Sequence, residues 1–292
     1  MCKLSIVTPT YNRASYLERC FRSLEAQTNH DFEWILVDDG STDNTADVAS
    51  AFHPEHFSVR FVQKPNGGKH TALNAAHPYI HGDYVLILDS DDYLTETAVE
   101  EVLSAWKRYE DNEEIGLLTF LKGTPDGQPV CTAADYDTPV EILRYRRRSV
   151  TGSDCCEVIR SELFKEYPFP VYEGERFISE CALWNRVGQR HKCVYIDSVI
   201  YICEYLEGGL TKSGRRLRIR NPRGGMFISN LRMDRRNYTG QRWKYGLLYT
   251  CYGCFARKGI VEQLKETDHP ALAVACYPFG YLLYLRWKKK YQ

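Results

Sequence analysis

The stretch Tyr84-Val85-Leu86-Ile87-Leu88 runs directly into Asp89-Ser90-Asp91-Asp92. Five consecutive large apolar or aromatic residues read as a strand buried on both faces. Three carboxylates in the next four positions end it abruptly in charge, so like charges are held together at one end of a sheet. Such crowding is relieved by a raised pKa or by a bound cation, for which oxygen ligands point to Mg²⁺ or Mn²⁺. An Asp-rich turn that caps a helix starting near Glu96 accounts for the same residues.

The unit of strand, polar loop and helix occurs repeatedly before this point. Leu4 to Thr8 is β-rich and stops at Pro9, and Ser15 to Gln27 carries Tyr16, Leu17, Cys20, Phe21 and Leu24 at helical spacing. Trp34 to Val37 leads into Asp38-Asp39-Gly40-Ser41 and a helix around Thr45 to Ala51. Val59 to Val62 leads into Asn66-Gly67-Gly68 and a helix from Lys69 to Tyr79. Four strands alternating with helices predict right-handed crossovers and an α/β fold with a mainly parallel sheet flanked by helices. Ligands of such sheets bind outside the carboxyl ends of the strands, and here the polar, Gly-containing loops all fall at those ends. That convergence favours a ligand site over a plain acidic turn.

No Gly-x-Gly-x-x-Gly and no P-loop follows the first strand, which argues against a dinucleotide fold and a P-loop NTPase. A nucleotide would need other contacts. Tyr11 offers a stacking face, Asp39 an acceptor for a base N–H, Lys69 a cation for phosphate, and a metal on the Asp cluster a partner for diphosphate. A surface aromatic, a turn former and a solvated lysine are the alternatives. With 38 basic and 38 acidic residues among 292 there is no net charge to recommend nucleic acid. Eleven scattered cysteines and the lack of a secretory signal before Cys2 lead us to expect a reducing cytoplasm. Cys251-Tyr252-Gly253-Cys254 is a lone CxxC without partners for zinc.

In order and spacing, Ser5 to Arg13, Gln27, Val37 to Asp43, Asn66-Gly67-Gly68, Asn74 and Leu88 to Asp92 resemble the family-2 glycosyltransferases. The resemblance covers about residues 3 to 105. It implies a GT-A type, Rossmann-like fold, an inverting reaction, a nucleotide-sugar donor and a divalent metal, Mn²⁺ or Mg²⁺. It further implies that Thr8, Pro9, Tyr11 and Asp39 meet the nucleotide, with Asp39 reading uracil if the donor is a UDP-sugar. Lys69 then lies near the donor. Asp89-Ser90-Asp91 matches the DxD signature, with Asp91 or Asp92 as the principal metal ligand and Asp89 assisting.

The second half must supply an acceptor site and a base. Ile115 to Leu121 reads as a strand, Arg144 to Arg148 as a basic helix face, and Phe177, Cys181, Trp184 and Val187 as a helical stripe beside Glu180. By position alone Glu180 complements a helix dipole. The resemblance implies instead that Glu180 is the general base, although Ser179 replaces the first acid of the family's pair and Glu stands where Asp is more frequent. Glu173 and Glu175 are its nearest competitors. Cys193 to Ile196 and Val199 to Tyr205 read as two strands. Gly208 to Arg216 reads either as a basic connector or as a loop closing over diphosphate, with Arg215 among its guanidiniums.

From Met226 onward the chain looks helical. Ala271 to Leu285 is apolar apart from a break at Pro278-Phe279-Gly280, and it ends in Arg286-Trp287-Lys288-Lys289-Lys290-Tyr291. That pattern is too short to span a bilayer but suits an interfacial helix; a packed terminal helix with a basic tail is the other possibility. The expected organisation is a nucleotide-sugar-binding subdomain over 1–105, an acceptor-binding subdomain over 106–215 and a C-terminal helical extension over 216–292. Expected partners are a nucleotide-sugar donor, a saccharide or lipid-linked acceptor, and the inner face of a membrane touched peripherally through 271–292, in a cytoplasmic enzyme of polysaccharide or glycoconjugate synthesis. A nucleotidyltransferase and a non-catalytic sugar-nucleotide or glycan-binding module are the competing functions.

Overall fold

The structure is a computed structural model that describes residues 2–151, 154–204 and 210–291, without the side chains of 147, 148 and 210–213. Its strands are β1 (Leu4–Thr10), β2 (Phe32–Asp38), β3 (Ser58–Gln63), β4 (Tyr84–Ile87), β5 (Tyr93–Leu94), β6 (Ile115–Gly123), β7 (Thr132–Ala133), β8 (Pro139–Val140), β9 (Val150–Thr151), β10 (Cys155–Arg160) and β11 (Lys192–Ile202). The helices are α1 (Ala14–Glu25), α2 (Thr45–Ser50), α3 (Lys69–Ala76), α4 (Ala98–Lys107), α5 (Ile142–Arg148), α6 (Ser161–Glu166), α7 (Cys181–Val187), α8 (Leu210–Arg220), α9 (Pro222–Arg232), α10 (Thr239–Phe255), α11 (Ile260–Lys265) and α12 (Pro270–Tyr291). The chain divides into two compact units, Met1–Pro168 with Arg190–Tyr205, and Phe169–Gln189 with Leu206–Gln292. The segment 106–215 contributes to both.

In the first unit the main sheet runs β3-β2-β1-β4-β10-β6-β11-β5, with β8 also on β11. β1, β2, β3 and β4 are parallel, and β6 is parallel to β11, as the repeated crossover units require. β10 lies antiparallel between β4 and β6, which makes the sheet mixed at its centre. β1 and β2 are buried at every position, the pattern of strands covered on both faces. α1 presents Leu17, Cys20, Phe21 and Leu24, spaced i, i+3, i+4 and i+7, to this core, where Phe21 stacks on Trp34. Each such side chain contributes about 1.5–3 kcal/mol when fully buried. On the other flank Tyr84 of β4 stacks on Trp106 of α4 with ring centroids 4.2 Å apart. The two strands expected between Cys193 and Tyr205 are one, β11; its pairing with β6 shifts register between Tyr195 and Tyr201, which absorbs the irregular stretch around Asp197.

The second unit is helical. α12 runs without a break through Pro278, contrary to the expected interruption. Packing explains this: Ala273, Cys276, Gly280 and Trp287 share a buried face, and tertiary burial outweighs one lost helical hydrogen bond. A Cβ on Gly280 would stand 1.7 Å from Thr250 Oγ1, so only glycine lets α12 lie this close to α10. The stretch from Gly208 to Arg216, expected as a basic connector or as a loop closing over diphosphate, contains the start of α8; Gly208 and Gly209 themselves lie outside the described residues. Cys251 and Cys254 sit in α10, and burial pushes both thiols up, Cys251 to about 12. Among the described residues no helix is long and apolar enough to cross a membrane.

Candidate active site

Parallel pairing of β2, β1 and β4 puts the ends of these strands side by side, and hydrogen bonds tie their loops into a continuous rim. The Asp39 N–H donates to the Thr10 carbonyl at 2.8 Å. The Asn12 N–H donates to Ser41 Oγ at 2.9 Å, while Asn12 Oδ1 accepts the Thr42 N–H at 2.8 Å. Asn12 holds this bridge with φ at 51°, a left-handed conformation that asparagine tolerates better than most residues. Tyr11 projects from the same corner with 43% of its surface exposed. Thr8 and Pro9, by contrast, are buried, and the Thr8 hydroxyl accepts the Trp34 indole N–H at 2.9 Å. What Thr8 can offer a ligand is therefore main chain.

Asp39 is buried under the loop that joins β3 to α3. Its Oδ1 accepts from Lys64 Nζ at 2.6 Å, the Gly67 N–H at 3.0 Å and Thr71 Oγ1 at 3.4 Å. Its Oδ2 accepts from the Gly68 N–H at 2.6 Å and Asn66 Nδ2 at 3.3 Å. A carboxylate has about four lone-pair sites, so this one is saturated by its own chain. Gly40 follows with φ at 76°, and a Cβ there would lie 2.7 Å from the Asn66 nitrogen, which accounts for the Asp-Gly pair. Lys64 has no counterpart in the sequence reading: one charged residue after a strand carries no signal of its own.

The acidic turn closes the rim. The Asp92 N–H donates to the Asp89 carbonyl at 3.0 Å. Lys69 Nζ, at the start of α3, stands 2.5 Å from Asp89 Oδ1. Arg13 Nε lies 3.5 Å from Asp91 Oδ2, and Arg19 donates to the Asp91 carbonyl at 2.6 Å. Burial alone would raise the Asp89 carboxyl, but the Lys69 and Lys122 ammoniums outweigh it and hold the group below its usual range. Asp92 has 6% of its surface exposed, and burial together with the Asp89 charge pushes its carboxyl up to about 7. Of the two remedies a raised pKa is in play at Asp92, together with one the sequence did not reveal, fixed cations supplied by Lys69, Lys122, Arg13 and Arg19.

A divalent cation fits this donor set in one way. Among the described residues no group of three His, Cys, Asp or Glu could hold a metal unaided. Asp91, with its looser ion pair and a side chain 24% exposed, suits a site in which one or two carboxylates hold Mg²⁺ or Mn²⁺ and substrate phosphates complete the shell.

The other expected site residues belong to the second unit. Glu180 is the N-cap of α7, its carbonyl accepting the Leu183 and Trp184 N–H groups, and its side chain makes no capping hydrogen bond. Its competitor Glu175 is buried and accepts the N–H groups of Arg223 and Gly224 at 2.7 and 2.9 Å, which makes it the carboxylate that caps α9. Glu173 is exposed. Arg215 lies 4.4 Å from the Trp287 ring centroid and donates to the Tyr291 hydroxyl at 3.3 Å.

Against known proteins, the model of the family described as Glycosyl transferase family 2 matches residues 5–167. The chondroitin synthase of Pasteurella multocida is 46% identical over 97 residues, 33% of this chain but only 10% of that protein. Glycosyltransferase GlyG of Streptococcus pneumoniae is 28% identical over 223 residues, 72% of this chain and 73% of that one. Among solved structures, S. aureus TarS 1-349 in complex with UDP-GlcNAc aligns with a TM-score of 0.65 at 17% identity, covering 94% of this chain and 79% of that one. The mannosyltransferase PcManGT of Pyrobaculum calidifontis, in complex with GDP-Man and Mn²⁺, aligns with a TM-score of 0.58 at 16% identity over 99% and 83% of the two chains. At these identities the structural likeness establishes a shared fold, the GT-A arrangement with C-terminal helices.

Proposed function

Since the chain belongs to glycosyl transferase family 2, we propose that it moves a sugar, with inversion, from a uridine diphosphate donor to a hydroxyl of a saccharide or lipid-linked saccharide. The observation that carries the donor half is the rim itself, where the residues flanking Tyr11, the Asp39-bound loop, Lys69 and the acidic turn are joined by hydrogen bonds and ion pairs within one unit. Tyr11 gives the base a stacking face. Asp39 orders the Asn66–Gly68 loop around the base, and its two longest contacts, from Asn66 and Thr71, are those a uracil N–H would displace. Lys69 and Arg13 bring positive charge to the side of the turn that faces diphosphate. Asp91, assisted by Asp89 or Asp92, would hold Mn²⁺ or Mg²⁺, which when bound supplies charge neutralisation for the departing diphosphate. Glu180 takes the proton of the attacking hydroxyl at its carboxylate. We assign Arg215 the role of a further cation for the leaving group's charge.

In this reading 1–105 binds the donor, 106–215 the acceptor, and 216–292 is an extension. The test is a thermal-shift screen of nucleotide sugars with and without Mn²⁺. A ligand at 100 times its Kd adds about 2.7 kcal/mol to stability, so a UDP-sugar with Mn²⁺ is expected to raise Tm by several degrees. A shift with no nucleotide sugar would refute the donor assignment.

We assign the extension a peripheral contact with the inner face of an anionic membrane, in a cytoplasmic enzyme. Val274, Phe279, Tyr281, Leu282 and Leu285 form an exposed apolar stripe on α12, from 44 to 63% exposed, and Arg286, Lys288, Lys289 and Lys290 end the helix without an acidic residue in it. Co-flotation with vesicles containing anionic lipid is expected, and Leu282→Asp should reduce it at least tenfold. Equal flotation of parent and variant, or none with either, would remove the membrane from this account.

A further inference from the structure

Beneath the acidic turn lie groups that the reaction scheme leaves without a role. Tyr201, on β11, is fully buried. Its hydroxyl lies 2.8 Å from Asp92 Oδ2 and 3.0 Å from the main-chain nitrogen of Asp89. An amide N–H can only donate, so the hydroxyl accepts from Asp89 and spends its single proton on Asp92. One side chain therefore grips the first and last residues of the four-residue turn from below, while the turn's own hydrogen bond from Asp92 to Asp89 closes it from within. Lys122, the cross-strand neighbour of Tyr201 on β6, is 8% exposed. Its Nζ lies 4.1 Å from the Tyr201 ring centroid and 3.3 Å from Asp154 Oδ1. The cation holds the ring by its face and places a buried positive charge near the two flanking carboxylates.

The geometry points to Tyr201 as a positioning residue for donor binding: by clipping both ends of the Asp89–Asp92 turn through its hydroxyl, it sets the direction in which Asp91 offers its carboxylate. Lys122 braces the clip. A tyrosine needed only to fill the core would act through its ring, and the hydroxyl would be dispensable. Here the hydroxyl itself takes the Asp89 amide proton, a contact the ring alone could not make. This inference rests on the reading that Asp91 binds a cation together with the donor diphosphate.

The test is Tyr201→Phe, which keeps the ring and its contact with Lys122 and removes only the hydroxyl. Two quantities are measured on folded protein, the exchange rate of the Asp89 amide by NMR and the Kd of Mn²⁺ in the presence of UDP by electron paramagnetic resonance. Loss of groups that orient a metal ligand typically weakens affinity by about 10 to 100-fold. The expected result is amide exchange at least tenfold faster and an Mn²⁺ Kd raised by about tenfold or more, with the far-ultraviolet spectrum unchanged. Faster exchange with an unchanged Mn²⁺ Kd would make Tyr201 structural and overturn the inference while leaving the cation reading intact. Absence of Mn²⁺ binding in the parent protein with UDP would overturn the cation reading and this inference with it. If Tyr201→Phe does not fold, Tyr201→4-aminophenylalanine, which still donates to Asp92 but accepts poorly from Asp89, must show the same rise in Mn²⁺ Kd; an unchanged value would again be contrary.

Discussion

A Glu180→Gln protein is expected to fold, to bind its donor with little change, and to turn over about 10² to 10⁴ times more slowly than the parent. Glutamine preserves the shape of the side chain but cannot accept the hydroxyl proton, and inversion requires one carboxylate that can. The charge lost at the start of α7 is worth about 0.3–1 kcal/mol. Glu175→Gln provides the contrast. That carboxylate is buried and accepts two main-chain N–H groups of α9, so the substitution exchanges charge-assisted bonds for weaker ones and should cost about 1–2 kcal/mol of stability. Steady-state rates and melting temperatures on both variants separate the roles. If Glu180→Gln kept the parent rate within threefold while Glu175→Gln lost it, the assignment of the base would have to be exchanged.

The second large effect is expected at Asp91. Asn keeps the size and one oxygen but removes the charge that would hold a cation against diphosphate. Charge stabilisation of that kind supplies several kcal/mol, so Asp91→Asn should lower kcat on the order of 10³-fold, or about 4 kcal/mol. Binding of uridine itself should survive, since Tyr11 and the Asp39 loop lie on other strands of the rim. Excess Mn²⁺ should restore part of the rate by mass action. A variant as fast as the parent at micromolar Mn²⁺ would show that Asp91 is a turn residue held by Arg13 and nothing more.

What the chain revealed in advance follows from where its signals are local. α1 announces itself because Leu17, Cys20, Phe21 and Leu24 share one face, and β4 because Tyr84 to Ile87 has no polar interruption. The loops of the rim were legible for the same reason, each following directly on its own strand. The antiparallel insertion of β10 between β4 and β6 was not, because Cys155 to Arg160 carries no mark of direction and its neighbours are chosen by the sheet as a whole. Pro278 misled because packing on α10 is invisible to a window around it. At the site, sequence order identified the acids but not what balances them. Lys122 and Tyr201 reach the turn from strands that begin 23 and more residues later in the chain, and nothing around either residue hints at that contact. Asp39 also holds Asn66 to Gly68 with both oxygens, a role that depends on a loop 27 to 29 residues away and leaves no local mark in the sequence.

The account stands or falls on which phosphate compound leaves the enzyme. Phosphorus NMR of the parent protein with UDP-sugars and a carbohydrate acceptor, followed first with Mn²⁺ and then after exhaustive chelation, reports that directly. The result expected is accumulation of UDP without pyrophosphate, falling to background once the cation is removed. UDP formation at full rate in the chelated sample, or pyrophosphate produced from a nucleoside triphosphate and a sugar phosphate in place of it, would contradict the mechanism.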